Sequence, residues 1–345
     1  MLSLRSLAAS AALSLALMPI WSTYGLAAPR VVASIKPVHA LVAAVMEGAG
    51  TPDLIVGGAA SPHSYALKPS QAQALENADL IFWVGHELES FLEKPIETIG
   101  AHARSVELID ASGLIRLPFR EGGPFDAHMH EEHEDHADGD DHDHDHDGGE
   151  EHAEAEDGHH DDHHDDHHDD HDGGFDAHLW LDPLNAKVFV RAIGEALTEA
   201  DPANAALYAA NVASTDQKLD ALIGEVSATL APVRGKQFIV FHDAYHYFEN
   251  RFEMKAAGSV TVNPEVRPSA ERVAAIQDKV RELDAVCAFS EPQFDSQLID
   301  VVIEGTDART AVLDPLGATL DDGPELYFDL IRQLGTSMRD CLEGR

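Results

Sequence analysis

Ala203-Asn-Ala-Ala-Leu-Tyr-Ala-Ala-Asn-Val-Ala-Ser-Thr-Asp-Gln-Lys-Leu-Asp-Ala-Leu-Ile-Gly-Glu-Val-Ser-Ala-Thr-Leu230 is the stretch on which the fold turns. Leu219, Leu222, Ile223, Val226 and Leu230 recur at helical spacing and form one apolar stripe. Pro232 and Gly235 end the pattern. A helix of roughly 25 residues spans nearly 40 Å at about 1.5 Å per residue, long enough to join two domains. On both sides of it, short apolar β-runs alternate with helical segments. Before it, the runs at 30–35, 53–56, 80–84 and 106–109 are followed by helical patterns at 37–47, 71–77, 87–99 and 185–198, with Ser70 as the N-cap of the second. After it, runs at 237–241, 285–289 and 310–313 alternate with helices at 243–250, 269–283, 296–305 and 326–342. Such alternation predicts an α/β protein of two Rossmann-like lobes, each with a central parallel sheet. The expected division is 28–202, an N-terminal lobe; 203–231, a connecting backbone helix; and 232–345, a C-terminal lobe.

Residues 126–172 interrupt the first lobe. They hold His128, His130, His133, His136, His142, His144, His146, His152, His159, His160, His163, His164, His167, His168 and His171, together with 23 acidic residues and neither Lys nor Arg. Apart from Met129 no apolar residue larger than Ala occurs there. That composition cannot bury enough surface to offset the entropy of ordering, so a disordered loop is expected. Imidazoles and carboxylates at this density offer many weak sites for a borderline divalent metal such as Zn²⁺, without fixed geometry or selectivity. The plainer alternative is a solvated acidic linker. A small echo, Phe125-Asp-Ala-His128 against Phe175-Asp-Ala-His178, brackets the run.

Residues 1–27 read as a cleavable secretory signal: Arg5 gives the positive n-region, Leu7 to Met18 the apolar core, and Gly25-Leu26-Ala27 the small-residue site. The apolar run is short of a membrane span, and no Cys near the cleavage point offers a lipid anchor. The expectation is an exported, periplasmic protein. Cys287 and Cys341 are the only cysteines, and in an oxidising compartment an isolated pair is most simply a disulfide; two free thiols or soft metal ligands are the alternatives. The formal net charge of −39 makes nucleic acid an unsuitable partner and cations the natural ligand class.

Outside the insertion seven histidines remain: His39, His63, His86, His102, His178, His242 and His246. His63 and His242 lie just past predicted strands, and His178 follows the fourth strand and the insertion; Asp314 occupies the same kind of place after the run at 310–313. Ligands of open α/β sheets gather there. Three neutral imidazoles and one carboxylate suit tetrahedral Zn²⁺, whereas a more oxygen-rich set suits Mn²⁺. A secreted zinc hydrolase would need an open position and a nearby general base, and no His-Glu-x-x-His arrangement occurs, so the chain is not expected to be an enzyme.

Five segments carry a resemblance: Ala60-Ser-Pro-His-Ser-Tyr-Ala-Leu-Lys-Pro-Ser70, Ala78-Asp-Leu-Ile-Phe-Trp-Val-Gly85, His178-Leu-Trp-Leu-Asp-Pro183, Phe241-His-Asp-Ala-Tyr-His-Tyr-Phe248 and Leu313-Asp-Pro-Leu-Gly317. In this order they resemble the ZnuA family, the zinc-binding periplasmic proteins of high-affinity zinc ABC importers, in the cluster A-I (class III) solute-binding group. The resemblance implies two α/β lobes on one rigid helix, a His/acid-rich loop before the second ligand, a C-terminal disulfide, and Zn²⁺ held by His63, His178 and His242. Some zinc members have Glu immediately before the first His, where this chain has Pro62, so the fourth place falls to Asp314 or a water. Manganese members resemble this chain but carry Glu at the third ligand position, so His242 favours zinc. The implied partner is an inner-membrane ABC zinc permease with its cytoplasmic ATPase, served by a monomeric receptor. A manganese or iron receptor of the same fold, and a zinc buffer or metallochaperone without a transporter, are the alternatives.

Overall fold

The computed structural model describes residues 28–120, 125, 174–261, 264 and 267–345. The expected signal at 1–27 and the His-rich run at 126–172 lie outside the described residues. The first half contains β1 (Val31–Ile35), α1 (Lys36–Val45), β2 (Asp53–Val56), α2 (Pro69–Asn77), β3 (Leu80–Trp83), α3 (His86–Thr98), β4 (Arg104–Glu107) and α4 (Pro183–Ala200). The long helix α5 (Ala205–Leu230) follows, and then β5 (Phe238–His242), α6 (His246–Phe252), β6 (Gly258–Thr261), α7 (Ala270–Glu282), β7 (Cys287–Ser290), α8 (Gln297–Val302), β8 (Arg309–Val312) and α9 (Leu326–Glu343).

Two parallel four-stranded sheets result, in the orders β2-β1-β3-β4 and β6-β5-β7-β8. In each, the first strand of the half sits inside, paired on both sides, and its residues are wholly buried. A parallel strand covered on both faces needs a near-continuous apolar run, which Val-Val-Ala-Ser-Ile and Phe-Ile-Val-Phe-His supply. The crossover direction reverses beside β1 and beside β5, and the crevice outside their carboxyl ends is where such sheets take ligands.

The alternation and the 26-residue helix stand as the sequence predicts, with local corrections. β6, on the edge of the second sheet, escapes the pattern because Gly258-Ser-Val-Thr261 holds a single large apolar residue. Ser70 is not the cap of α2. The helix starts at Pro69 after Lys68, whose backbone N–H is taken by the Gln71 side chain at 2.8 Å. β4 begins two residues earlier than the apolar signal, because Arg104 and Ser105 pair with Leu80 and Ile81 at an edge where one face meets water. α4 starts at Pro183 under the Asp182 cap, whose carboxylate accepts the Leu184 N–H. In the middle of α4, Gly194 lets α5 come close: a Cβ there would stand 2.5 Å from Val212 Cγ2. The Cys287–Cys341 disulfide ties β7 to α9 across 54 residues of chain, a closure that stabilises by about 4 kcal/mol in the chain-entropy model.

One continuous apolar core runs from Val31 and Ile35 through Leu219, Leu222, Val226 and Leu230 of α5 to Leu334 and Leu342 of α9. Directed polar bonds cross between the halves in addition. Trp180 Nε1 donates to the Pro315 carbonyl at 2.9 Å, and the Tyr327 hydroxyl to the Trp180 carbonyl at 2.7 Å. Arg251 grips the fully buried Asp182 with two bonds of 2.7 and 2.8 Å. Lys36, also buried, donates to the Leu320 carbonyl at 2.7 Å and pairs with Asp322 at 3.1 Å.

Glu89 is fully buried where α3 departs from helical geometry, and its Oε2 accepts the N–H groups of Val84 and Gly85. Burial pushes its carboxyl up to about 7. A carboxyl raised in the folded state binds protons that the unfolded chain releases, so stability falls as pH rises from about 4.5 to about 7. Glu89→Gln should therefore raise stability at pH 8, by at most about 3 kcal/mol, and change it little at pH 4. Urea unfolding at the two pH values checks this, and equal effects at both would contradict it.

Candidate metal centre

Two loops and the end of a strand deliver the candidate ligands. His63 lies in a 3-10 turn, Pro62–Ser64, entered through Ser61, whose hydroxyl accepts the His63 N–H. His178 precedes another such turn, Leu179–Leu181, and His242 is the last residue of β5. One ligand atom from each lies within 4.8 Å of the other two. The ring centroids stand 5.2 to 5.9 Å apart. His178 and His242 are buried, and His63 is partly exposed. The cavity that they line with Ser61, Trp180 and Leu316 has a volume of about 10 Å³, room for a single water molecule.

Carboxylates set the orientation of two of the rings. His178 Nδ1 lies 2.7 Å from Asp176 Oδ1, and the same oxygen accepts the His178 backbone N–H. His242 Nδ1 lies 2.7 Å from Glu291 Oε1. With the proton held on Nδ1 by each carboxylate, both Nε2 lone pairs face the same gap, 3.3 Å apart. Two facing lone pairs repel unless a cation or proton stands between them. Two nitrogens bound at 2.0–2.1 Å to a tetrahedral zinc are about 3.3 Å apart, so the spacing fits that ion.

The structure brings together His63, His178 and His242, and Asp314 is not among them. Asp314 Oδ1 accepts from the backbone N–H groups of Leu316 and Gly317 and from Gln293 Nε2, and Oδ2 accepts from Ala318 N–H. Its oxygens shape the loop behind Leu316. Among the remaining histidines, His39 is buried against the Pro52 carbonyl at 3.0 Å, and His86 and His102 are exposed. His246, the first residue of α6, is half-buried and outside the triad. The fifteen histidines of the insertion fall outside the described residues. Asp176 and Glu291 are the site residues that the sequence reading did not single out. Each had a signal: Asp176 is the acid of an Asp-x-His pair, and Glu291 directly follows β7, as Asp314 nearly follows β8.

Electrostatics divides the rings. Burial, with His178 and His242 close by, holds the His63 imidazole well below the usual histidine value. Burial also pushes His242 down, but the Glu291 charge and hydrogen bond outweigh it, and its pKa is raised. Metal needs the neutral ring, so on acidification the proton competes at His242 before it does at His63. Metal affinity should therefore start to fall above pH 6.5 and decline steeply below it. Glu291→Gln, which keeps the shape but drops the charge, should weaken binding about 10- to 100-fold and move the onset to lower pH. Zinc competition titrations from pH 8 to 5 would show both effects, and an unmoved onset in the variant would contradict the assignment.

The chain is similar to known proteins along most of its length. The sequence matches the family described as zinc-uptake complex component A, periplasmic, ZnuA, over residues 31–341. It is 54% identical over 312 residues to the high-affinity zinc uptake system protein ZnuA of Brucella abortus (strain 2308), covering 90% of this chain and 91% of that protein. The protein of the same name from Paracoccus denitrificans (strain Pd 1222) is 39% identical over 338 residues, with 98% of each chain covered. A crystal structure of ZnuA superposes with a TM-score of 0.69 at 21% identity, covering 91% of this chain and 99% of the other, which shows the shared fold.

Proposed function

The chain belongs to the ZnuA family of periplasmic zinc-uptake components, and from that premise we propose that it captures Zn²⁺ between two lobes and delivers it to an ABC permease. In this reading 28–202 and 232–345 are the lobes, and 203–231 is the helix joining them. The observation that carries it is the pair of inward Nε2 atoms, 3.3 Å apart, of His178 and His242, with His63 beside them. His63, His178 and His242 supply three nitrogen ligands. A water takes the fourth position, since the Asp314 oxygens are engaged by their own loop. An all-imidazole set favours zinc over manganese, which prefers oxygen donors.

Capture requires no reaction: the carboxylates orient the rings, the small cavity excludes further ligands, and acidification releases the ion. The protein acts as a monomeric periplasmic receptor, exported by the segment 1–27. The His-rich run 126–172 joins the first half next to His178 and serves as an accessory collector.

Zinc calorimetry on the mature protein should show one tight phase and several weak ones. The variant His63→Ala/His178→Ala/His242→Ala should lose only the tight phase, and its survival would refute the cleft assignment. Deleting 126–172 should do the reverse and slow zinc uptake under severe limitation. Unchanged uptake there would remove the accessory role.

A further inference from the structure

Arg120 lies at the root of the insertion in the first half, yet its guanidinium is spent on the second. Nε donates to Asp243 Oδ2 at 3.0 Å, and Nη2 donates to the other oxygen of the same carboxylate. Nη1 donates to Glu249 Oε2 at 2.7 Å, and Nη2 also reaches Glu249 Oε1 at 3.1 Å. Both acids are buried, and the Arg120 side chain is only 15% exposed. Asp243 directly follows the ligand His242, and Glu249 is pinned within its own half by accepting the Ala256 N–H.

The backbone that carries Arg120 is fixed just as firmly to the other ligand. Ile115 exchanges two bonds with the Asn185 side chain on α4, at 2.8 and 2.9 Å. The Leu117 carbonyl accepts the Asp176 N–H at 2.9 Å, and Pro118 bridges to Phe175. Asp176 is the carboxylate that orients His178. A short path of directed bonds therefore runs from the His178 ring through Asp176 and residues 117–120 to Arg120, Asp243 and His242. We propose that Arg120 is a positioning residue of the metal centre, a clamp across the cleft that holds His242 at its spacing from His178 and so slows zinc release.

Geometry favours this over simple charge balance. A guanidinium forked onto two carboxylates fixes distance and angle together, whereas neutralisation alone needs no fork. The inference rests on the triad being the zinc site, and the test separates the two. Release of the tightly bound zinc, the phase absent from the triple-histidine variant, is followed by stopped-flow chelation, and stability by urea unfolding. Arg120→Met should release zinc at least about tenfold faster. Arg120→Lys keeps the charge without the fork and should also be fast. Because Arg120→Met leaves two buried carboxylates unpaired, it is compared with Arg120→Met/Asp243→Asn/Glu249→Gln, in which no buried charge is stranded.

In the triple variant we expect stability to recover and release to stay fast. Release at the wild-type rate in the triple variant or in Arg120→Lys would mean that Arg120 only balances charge and would overturn the proposal. Loss of the tight phase from no variant, the triple-histidine one included, would instead overturn the zinc-site reading on which it stands.

Discussion

Two imidazole–carboxylate pairs govern the centre of this molecule. Asp176 on His178 and Glu291 on His242 commit each ring to presenting Nε2, and the fold places those atoms 3.3 Å apart. Lone pairs held at that distance in a buried cavity form an arrangement that a cation completes. Glu291 also raises the basicity of the His242 ring, and this strengthens metal binding while exposing it to proton competition. Affinity and acid sensitivity thus have one source.

For that spacing to hold, two sheets that share no hydrogen-bonded strand must keep a fixed relation. The apolar core supplies most of the cohesion, but apolar burial is non-directional and tolerates sliding. Directed bonds across the boundary remove that freedom. Trp180 to Pro315, Tyr327 to Trp180, Arg251 to Asp182, Lys36 to Leu320 and Arg120 to Asp243 each involve groups too deeply buried to be left unpaired. Their cost of dehydration is recovered only in one relative placement of the halves, so they specify that placement more than they stabilise it.

The insertion and the triad offer metal-binding groups in opposite ways. Fifteen histidines among 23 acids offer number; His63, His178 and His242, two of them buried and all from separate parts of the chain, offer a fixed arrangement. On either side of the insertion the Leu117 carbonyl accepts the Asp176 N–H and Pro118 bridges to Phe175, close to His178.

Composition and periodicity determined much of this by themselves. Alternating β-runs and helices around 203–230 dictated two parallel sheets, because a strand covered on both faces must be apolar along its length and a helix along one stripe. The candidate ligand histidines were legible as residues near strand ends, and the disulfide as an isolated pair. What remained hidden depended on distances in three dimensions. Gly258-Ser-Val-Thr261 becomes a strand only because β5 offers it an edge. Asp314 resembles a ligand in sequence, yet its oxygens satisfy nearby loop N–H groups that no sequence pattern reveals. Glu291 lies 49 residues from His242, and Arg120 lies 123 from Asp243; partners that distant leave no periodic trace, so only tertiary packing decided which acid would orient a ring and which would anchor the clamp.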